Sequence, residues 1–402
     1  MRAIQVLQKS LSDALSGMHA LRSRVLLKAT QAVMSGRRLT LMDVARSWPD
    51  AERVRAPLKA LDRLLGNRHL HEERWHIYAG MSRWLVRSER PVIVIDWSDL
   101  KADRSWHLLR AAIPVGGRSL PILDMVFPAG QQGAPQAEQR FLQQLKAILP
   151  AHARPILVTD AGFRTPWFRA VEALGWGWLG RLRHRTRVKP VDAVDAADQW
   201  VPCKALYALA SQTPRDMGAM HIAASQSWTA RLIVYGKAPK GRRHLNRQGQ
   251  RARSKHSLQN ARREREPWLL LASSDLEHLH ARQLVQLYAR RMQIELSFRD
   301  LKSHRYGDAF EDSLTRKGPR IAILLLLHAM AAFASWLVGL ACESAGIDRW
   351  LSPHRAPRKL YSTMRVGREA LRRGWPCGSV CALLDRLRQP NAALLDQLGI
   401  PA

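Results

Sequence analysis

An α/β fold is predicted: a mixed sheet with flanking helices, a mainly β insertion, and helical regions at both ends. Three observations carry it. Two short β-branched runs, "PVIVID" (91–96) and "PILVTD" (155–160), each end on an aspartate. Between them lie a hairpin pattern and an amphipathic helix. Apolar residues recur at helical spacing through residues 1–88 and again beyond residue 280.

Residues 1–88 read as helices joined by short polar segments, among them "TLMDVARSW" and "APLKALDRLLGNRHLHEERW". The first of these, followed by a turn and a basic helix, is compatible with helix-turn-helix DNA binding. From residue 91, "PVIVID" is a strand, and "WHLLRAAIPVGGRSLPILDMVF" is two strands about a Gly116-Gly117 turn. "QAEQRFLQQLKAILP" places Phe141, Leu145 and Ile148 on one helical face, and "PILVTD" is the next strand. Strand, hairpin, helix, strand is the order of a ribonuclease-H-like core. "TPWFRAVEALGW" then reads as a helix and "WGWLGRLRH" as a strand. Gly175, Gly177 and Gly180 match the dinucleotide pattern G-x-G-x-x-G, but in helix-to-strand order, so that function is rejected.

Residues 184–267 read as a β-rich insertion. It includes "ARLIVY" and a run from Gly236 to Glu266 with eleven Lys or Arg against two Glu. That run is too polar to bury a core and is expected to be mobile, a clamp for a polyanion. "PWLLLAS" restores a strand. "IAILLLLHAMAAFASWLVGLAC" (321–342) is long enough to span a bilayer but stands alone, and a buried core helix is the better reading. The expected domains are therefore 1–88 helical and DNA-binding, 89–183 and 268–345 the two parts of the core, 184–267 the insertion, and 346–402 a helical C-terminal region.

Charge narrows the function. The 402 residues hold 64 Lys plus Arg against 33 Asp plus Glu, a net charge of +31. An excess of this size calls for a polyanionic partner, with nucleic acid first and an anionic membrane surface second. Cys203, Cys342, Cys377 and Cys381 form no C-x-x-C pair, which fits a reducing cytoplasm. No GxSxG elbow, Walker A loop or HExxH is present, and the H-x-H pairs His69/His71 and His278/His280 lack accompanying cysteines.

Three acids stand out by position. Asp96 and Asp160 lie where strands leave the sheet, and Glu295 lies in "LYARRMQIELSFRDLK" (287–302). On one continuous helix, Arg291, Glu295 and Lys302 fall roughly 60°, 20° and 40° behind Tyr288, all on one stripe. A surface salt-bridge ladder produces such a stripe, and so does an active-site helix. Phosphodiester chemistry calls for two divalent ions held by a few carboxylates, with cations nearby for the phosphates. Asp99 lies at odd spacing from Asp96, on the opposite strand face, and ranks below it.

The spaced Tyr288, Arg291, Glu295 and Lys302, with Asp96 in "VIDWSD" and Asp160 in "VTDAGF", resemble the DDE transposases with the YREK motif. These form the insertion-sequence-four family, the group of the transposon-ten and transposon-five enzymes. The likeness extends to "RLLGNRHLHEER" and "EPWLLLAS". The resemblance implies that Asp96, Asp160 and Glu295 bind two Mg²⁺ ions per site, with Mn²⁺ able to substitute. It implies that Tyr288, Arg291 and Lys302 contact the transposon-end strand. Trp268 would stack a flipped base, although a core tryptophan reads equally well there. The implied activity is cut-and-paste transposition by a bacterial, cytoplasmic, DNA-associated homodimer. It proceeds by nicking, hairpin formation and opening, and strand transfer from inverted-repeat ends into target DNA. No membrane is involved. The alternative is a non-catalytic DNA-binding protein derived from a transposase.

Overall fold

The computed structural model describes residues 3–183, 186–191, 200–238, 250–251, 254, 258, 266–305, 307–352, 359–376 and 380–388. The chain forms two compact units, Met1–Arg154 with Met292–Ala402, and Pro155–Arg291.

The first unit begins with six helices: α1 (Ala3–Ser10), α2 (Ser12–Ser16), α3 (Ala20–Ser35), α4 (Leu41–Arg46), α5 (Arg55–Leu65) and α6 (Arg68–Leu85). The Thr40 side chain caps α4 by accepting from the Asp43 N–H at 3.2 Å, and Asn67 caps α6 through the Leu70 N–H at 3.0 Å. Strands β1 (Val92–Asp99), β2 (Trp106–Pro114) and β3 (Ser119–Pro128) follow in antiparallel order β3-β2-β1, and then α7 (Pro135–Ile148). The β2–β3 turn forms as its sequence predicts. Gly116 and Gly117 have φ of 69° and 88°, which glycine adopts without a β-carbon clash.

The second unit opens with β4 (Ile156–Thr159), α8 (Thr165–Glu172) and β5 (Gly177–Leu182), with β4 and β5 parallel. β6 (Arg187–Pro190), β7 (Val201–Pro202), β8 (Arg215–Ile222), β9 (Trp228–Tyr235) and β10 (Trp268–Ala272) extend it in the order β4-β5-β10-β9-β8-β6-β7. Beyond β4–β5 the described pairings in this unit are antiparallel. The α/β class with mixed pairing and flanking helices is therefore as predicted. Gly180 lies within β5, where a β-carbon would collide with Phe168, and Gly175 sits in a turn with φ of 71°, so these two glycines serve packing and a turn. Most of the basic run between β9 and β10 lies outside the described residues.

The continuous helix expected over 287–302 is not observed. Helix α9 (Ala281–Ala289) stops, and α10 (Met292–Lys302) starts after a turn at Arg290 and Arg291. The Arg290 and Arg291 N–H groups reach back three residues, to the Leu287 and Tyr288 carbonyls at 3.1 and 3.0 Å. This tighter winding closes α9, so the uninterrupted helix does not form.

Back in the first unit, α11 (Gly318–Ser344) is followed by α12 (Thr363–Arg373) and α13 (Val380–Arg388). Every residue of α11 from Ile321 to Cys342 is buried. It is long and apolar enough to cross a membrane, yet its most apolar stretch is wholly covered by protein. Its apolarity is that of a core helix. Gly339 and Gly367 let α11 and α12 touch, since a β-carbon at either would strike the other helix's backbone.

Candidate active site

In the first unit the site is built on one sheet face. Val92 to Ile95 are buried and exposure begins at Asp96, which lies within β1 rather than at its expected end, since the strand stays paired with β2 as far as Asp99. Directly opposite Asp96 on β2 is Arg110, and opposite Arg110 on β3 is Asp124. Residues paired across antiparallel strands share a face, so the three form one row. Arg110 and Asp124 are fully buried and joined by two hydrogen bonds of 2.7 Å, Nε to Oδ1 and Nη2 to Oδ2. The remaining Arg110 nitrogen, Nη1, donates to Ser297 Oγ at 2.8 Å. The guanidinium also lies 5.3 Å from the Phe298 ring centre. Ser297 and Phe298 belong to α10, so the buried pair fixes that helix over the Asp96 face.

A second contact reinforces the first. Lys302 Nζ donates to Ser98 Oγ at 2.8 Å, and Ser98 shares the face of Asp96 by the two-residue period of a strand. Burial lowers the Lys302 pKa, opposed by the carboxylates of Glu311, Asp99 and Asp96. Glu295 is exposed in the first turn of α10, where the helix dipole favours a carboxylate. It lies seven residues before Lys302, two turns along, so these two still share a stripe. Asp99 is engaged elsewhere, 3.0 Å from His107 Nδ1 and 3.4 Å from Arg104 Nε.

The second unit holds the remaining residues singled out by the sequence. Asp160 follows β4 directly, and its Oδ1 accepts the Gly162 N–H at 2.7 Å, the geometry of an Asx turn. Tyr288, at the end of α9, is 2% exposed. Burial raises its hydroxyl pKa, against the cations Arg291 and Arg181 and together with the Asp160 carboxylate, so these four groups share one field. The Arg291 guanidinium lies 5.8 Å from the Tyr288 ring centre. Trp268 is buried, with Tyr288 edge-on at 4.9 Å, Tyr235 at 5.7 Å and Lys237 Nζ 5.3 Å from its ring centre.

The motif therefore divides. Asp96, Glu295 and Lys302 stand on elements joined within the first unit, and Asp160, Tyr288, Arg291 and Trp268 belong to the second. Arg110, Asp124, Ser297 and Arg181 were not anticipated. A signal existed for two of them. Arg110 and Asp124 are opposite charges in the middle of apolar strands flanking one predicted hairpin, and a charge there requires a partner.

With this geometry in place, comparison with known families is decisive. The model of the transposase DDE domain matches residues 87–334. The chain belongs to this family. No curated protein matches it. The matched DDE domain begins just before β1 and ends within α11, so it covers every residue named above. Among the described residues, no group of three or more His, Cys, Asp or Glu side chains stands ready as a metal cage.

Proposed function

We propose that this DDE transposase performs cut-and-paste transposition, with the YREK arrangement of the insertion-sequence-four family, acting as a homodimer on inverted-repeat ends. One observation carries the reading. α10 bears Glu295 and Lys302 and is tied to the Asp96 face through Ser98 and through Arg110. Asp96, Asp160 and Glu295 are then the metal ligands. They form an all-carboxylate donor set, which suits a hard divalent ion such as Mg²⁺. Bound there, two such ions would activate the attacking oxygen and neutralise the leaving one.

The chain's own groups supply the rest. Lys302, held by Ser98, offers a point charge to a non-bridging phosphate oxygen. The Tyr288 hydroxyl keeps its proton because burial raises its pKa, and so remains a hydrogen-bond donor. Arg291 adds a guanidinium for a neighbouring phosphate. Trp268, beside Tyr288 and Lys237, offers an indole face for an extruded base once its aromatic neighbours move.

The test uses purified protein and linear DNA carrying the sequences that flank the coding region. Nicking and then hairpin-ended products are expected, dependent on Mg²⁺ and abolished by chelation. Stable binding of those ends with no strand cleavage under any divalent ion would refute the catalytic assignment and establish the non-catalytic DNA-binding alternative.

A further inference from the structure

Two clefts of the first unit adjoin and share Arg37. One, of about 810 Å³, runs between the end of α3, the β2–β3 turn, the end of α10, α11 and α12. The other, of about 1060 Å³, runs between α4, α5 and the segment leading into α11. Neither is lined by Asp96, Glu295 or Lys302. Together they are lined by twelve distinct Lys and Arg residues against four carboxylates.

All four acids are already held. Asp300 pairs with Arg118 at 2.6 Å, and Asp308 with Arg368 and His328 at 2.8 Å each. Asp312 pairs with Arg38 at 3.0 Å. Asp43 accepts the backbone N–H groups of Arg37 and Arg38 at 2.8 and 2.7 Å, which fixes that loop. Two acids outside the linings also pair with lining cations, Asp62 with Arg320 at 2.5 Å and Glu369 with Arg365 and Arg372 at 3.0 and 3.7 Å, and against these six acids the twelve cations still leave a positive surplus at the clefts. Arg37, Arg299, Arg305, Arg316, Lys317 and Arg372 are exposed. Such a concentration of like charge is costly unless an anion neutralises it.

We infer that the joined clefts are a track for the sugar-phosphate backbone of a DNA duplex, distinct from the contacts of Tyr288, Arg291 and Lys302. Charge extended over two adjoining clefts matches a polymer with one negative charge per roughly 1.7 Å of axis, rather than a single small anion. The concave form suits a rod better than a flat lipid surface, which would reach only the rims. The track starts on α10, where Arg299 lies one turn beyond Glu295, and runs to the N-terminal helices. It binds by charge and does not read sequence. The inference rests on the proposed transposase function and adds the path of the duplex away from the cleaved bond.

The test measures duplex affinity against salt concentration for two duplexes of equal length, an inverted-repeat end and an unrelated sequence. Arg37→Gln, Arg316→Gln and Arg372→Gln are combined in one variant. Arg140→Gln, Lys146→Gln and Arg154→Gln, whose positions line neither cleft, are combined in a control of equal charge. The track variant is expected to flatten the log–log slope by roughly 3, alike on both duplexes, and the control to change it little. Equal slopes for the two variants overturn the track, as does a track variant that, in a parallel sedimentation assay, loses binding to phosphatidylserine vesicles and not to either duplex. Wild-type protein that binds neither duplex overturns the transposase reading itself.

Discussion

Arg110 and Asp124 meet with no exposure of either side chain, and Asp308 is enclosed by His328 and Arg368; both clusters lie in the first unit. In the second unit the corresponding interior is aromatic. Phe168, Trp178 and Trp228 stack with centroids 4.3 to 5.6 Å apart, and Trp268 packs between Tyr235 and Tyr288. The ion pairs described there, Arg231–Asp216 and Arg183–Glu266, remain partly exposed. A buried ion pair is directional and holds one register, whereas aromatic rings spread their contact over a large area and can pair either offset-stacked or edge-to-face. The contrast suits the tasks proposed for the two halves. One unit must hold Glu295 and Lys302 at fixed places over Asp96, and the other must accommodate DNA against Tyr288 and Trp268.

The largest expected effect separates exposed from buried charge within the first unit. Glu295→Gln removes an exposed carboxylate and leaves the Arg110 anchor intact. Nicking should fall on the order of 10³-fold, as for loss of a metal ligand, while end binding and the unfolding midpoint stay near wild type. Cleavage at the wild-type rate would remove Glu295 from the site.

Asp124→Asn should do the reverse. It leaves a buried guanidinium incompletely paired, at a cost of about 3–5 kcal/mol in denaturant unfolding. The double variant Arg110→Met with Asp124→Leu should recover most of that stability while leaving α10 without its anchor. In the double variant, wild-type nicking would show that the pair does not position Glu295.

Acid should act on the first unit through Asp308. The Asp308 carboxyl is lowered from 3.8 to about 2; burial alone would raise it, but Arg368 and His328 outweigh that. Because the folded value lies below the unfolded one, its contribution is fully present above about pH 4 and is lost as pH falls toward 2. The amount is on the order of 2 kcal/mol. Hydrogen exchange of the α11 amides should report this loss, and Asp308→Asn should flatten it. An unchanged acid profile in Asp308→Asn would show that other carboxylates govern the transition.

What the sequence could convey follows from the range of the forces. The β2–β3 hairpin and the strand end at Asp160 depend on local turn chemistry and a two-residue period, so they were legible, whereas β1 runs three residues past Asp96 because its polar end stays paired with β2. The buried nature of α11 followed from its uniform apolarity. The break between α9 and α10 left no compositional mark, because Arg290 and Arg291 are neither glycine nor proline. It showed only in the backbone, and with it fell the uninterrupted helix expected over 287–302. Ser297 as a partner of Arg110 depends on a contact between residues 187 positions apart, which no local pattern encodes.

The smallest expected effect bears on the aromatic side of the comparison. Tyr288→Phe keeps the ring against Trp268 and removes only the hydroxyl, which shares a field with Arg291, Arg181 and Asp160. Loss of one hydroxyl hydrogen bond, to Arg291, puts the stability change at about 1 kcal/mol. If the hydroxyl donates to a phosphate near the cleaved bond, nicking should fall about ten-fold, with the loss in turnover more than in end affinity. Unchanged nicking would make Tyr288 a packing residue alone and leave Arg291 and Asp160 as the second unit's contribution to the chemistry. Since a hydroxyl needed only for folding would register in the unfolding curve and not in turnover, the two measurements together assign its role.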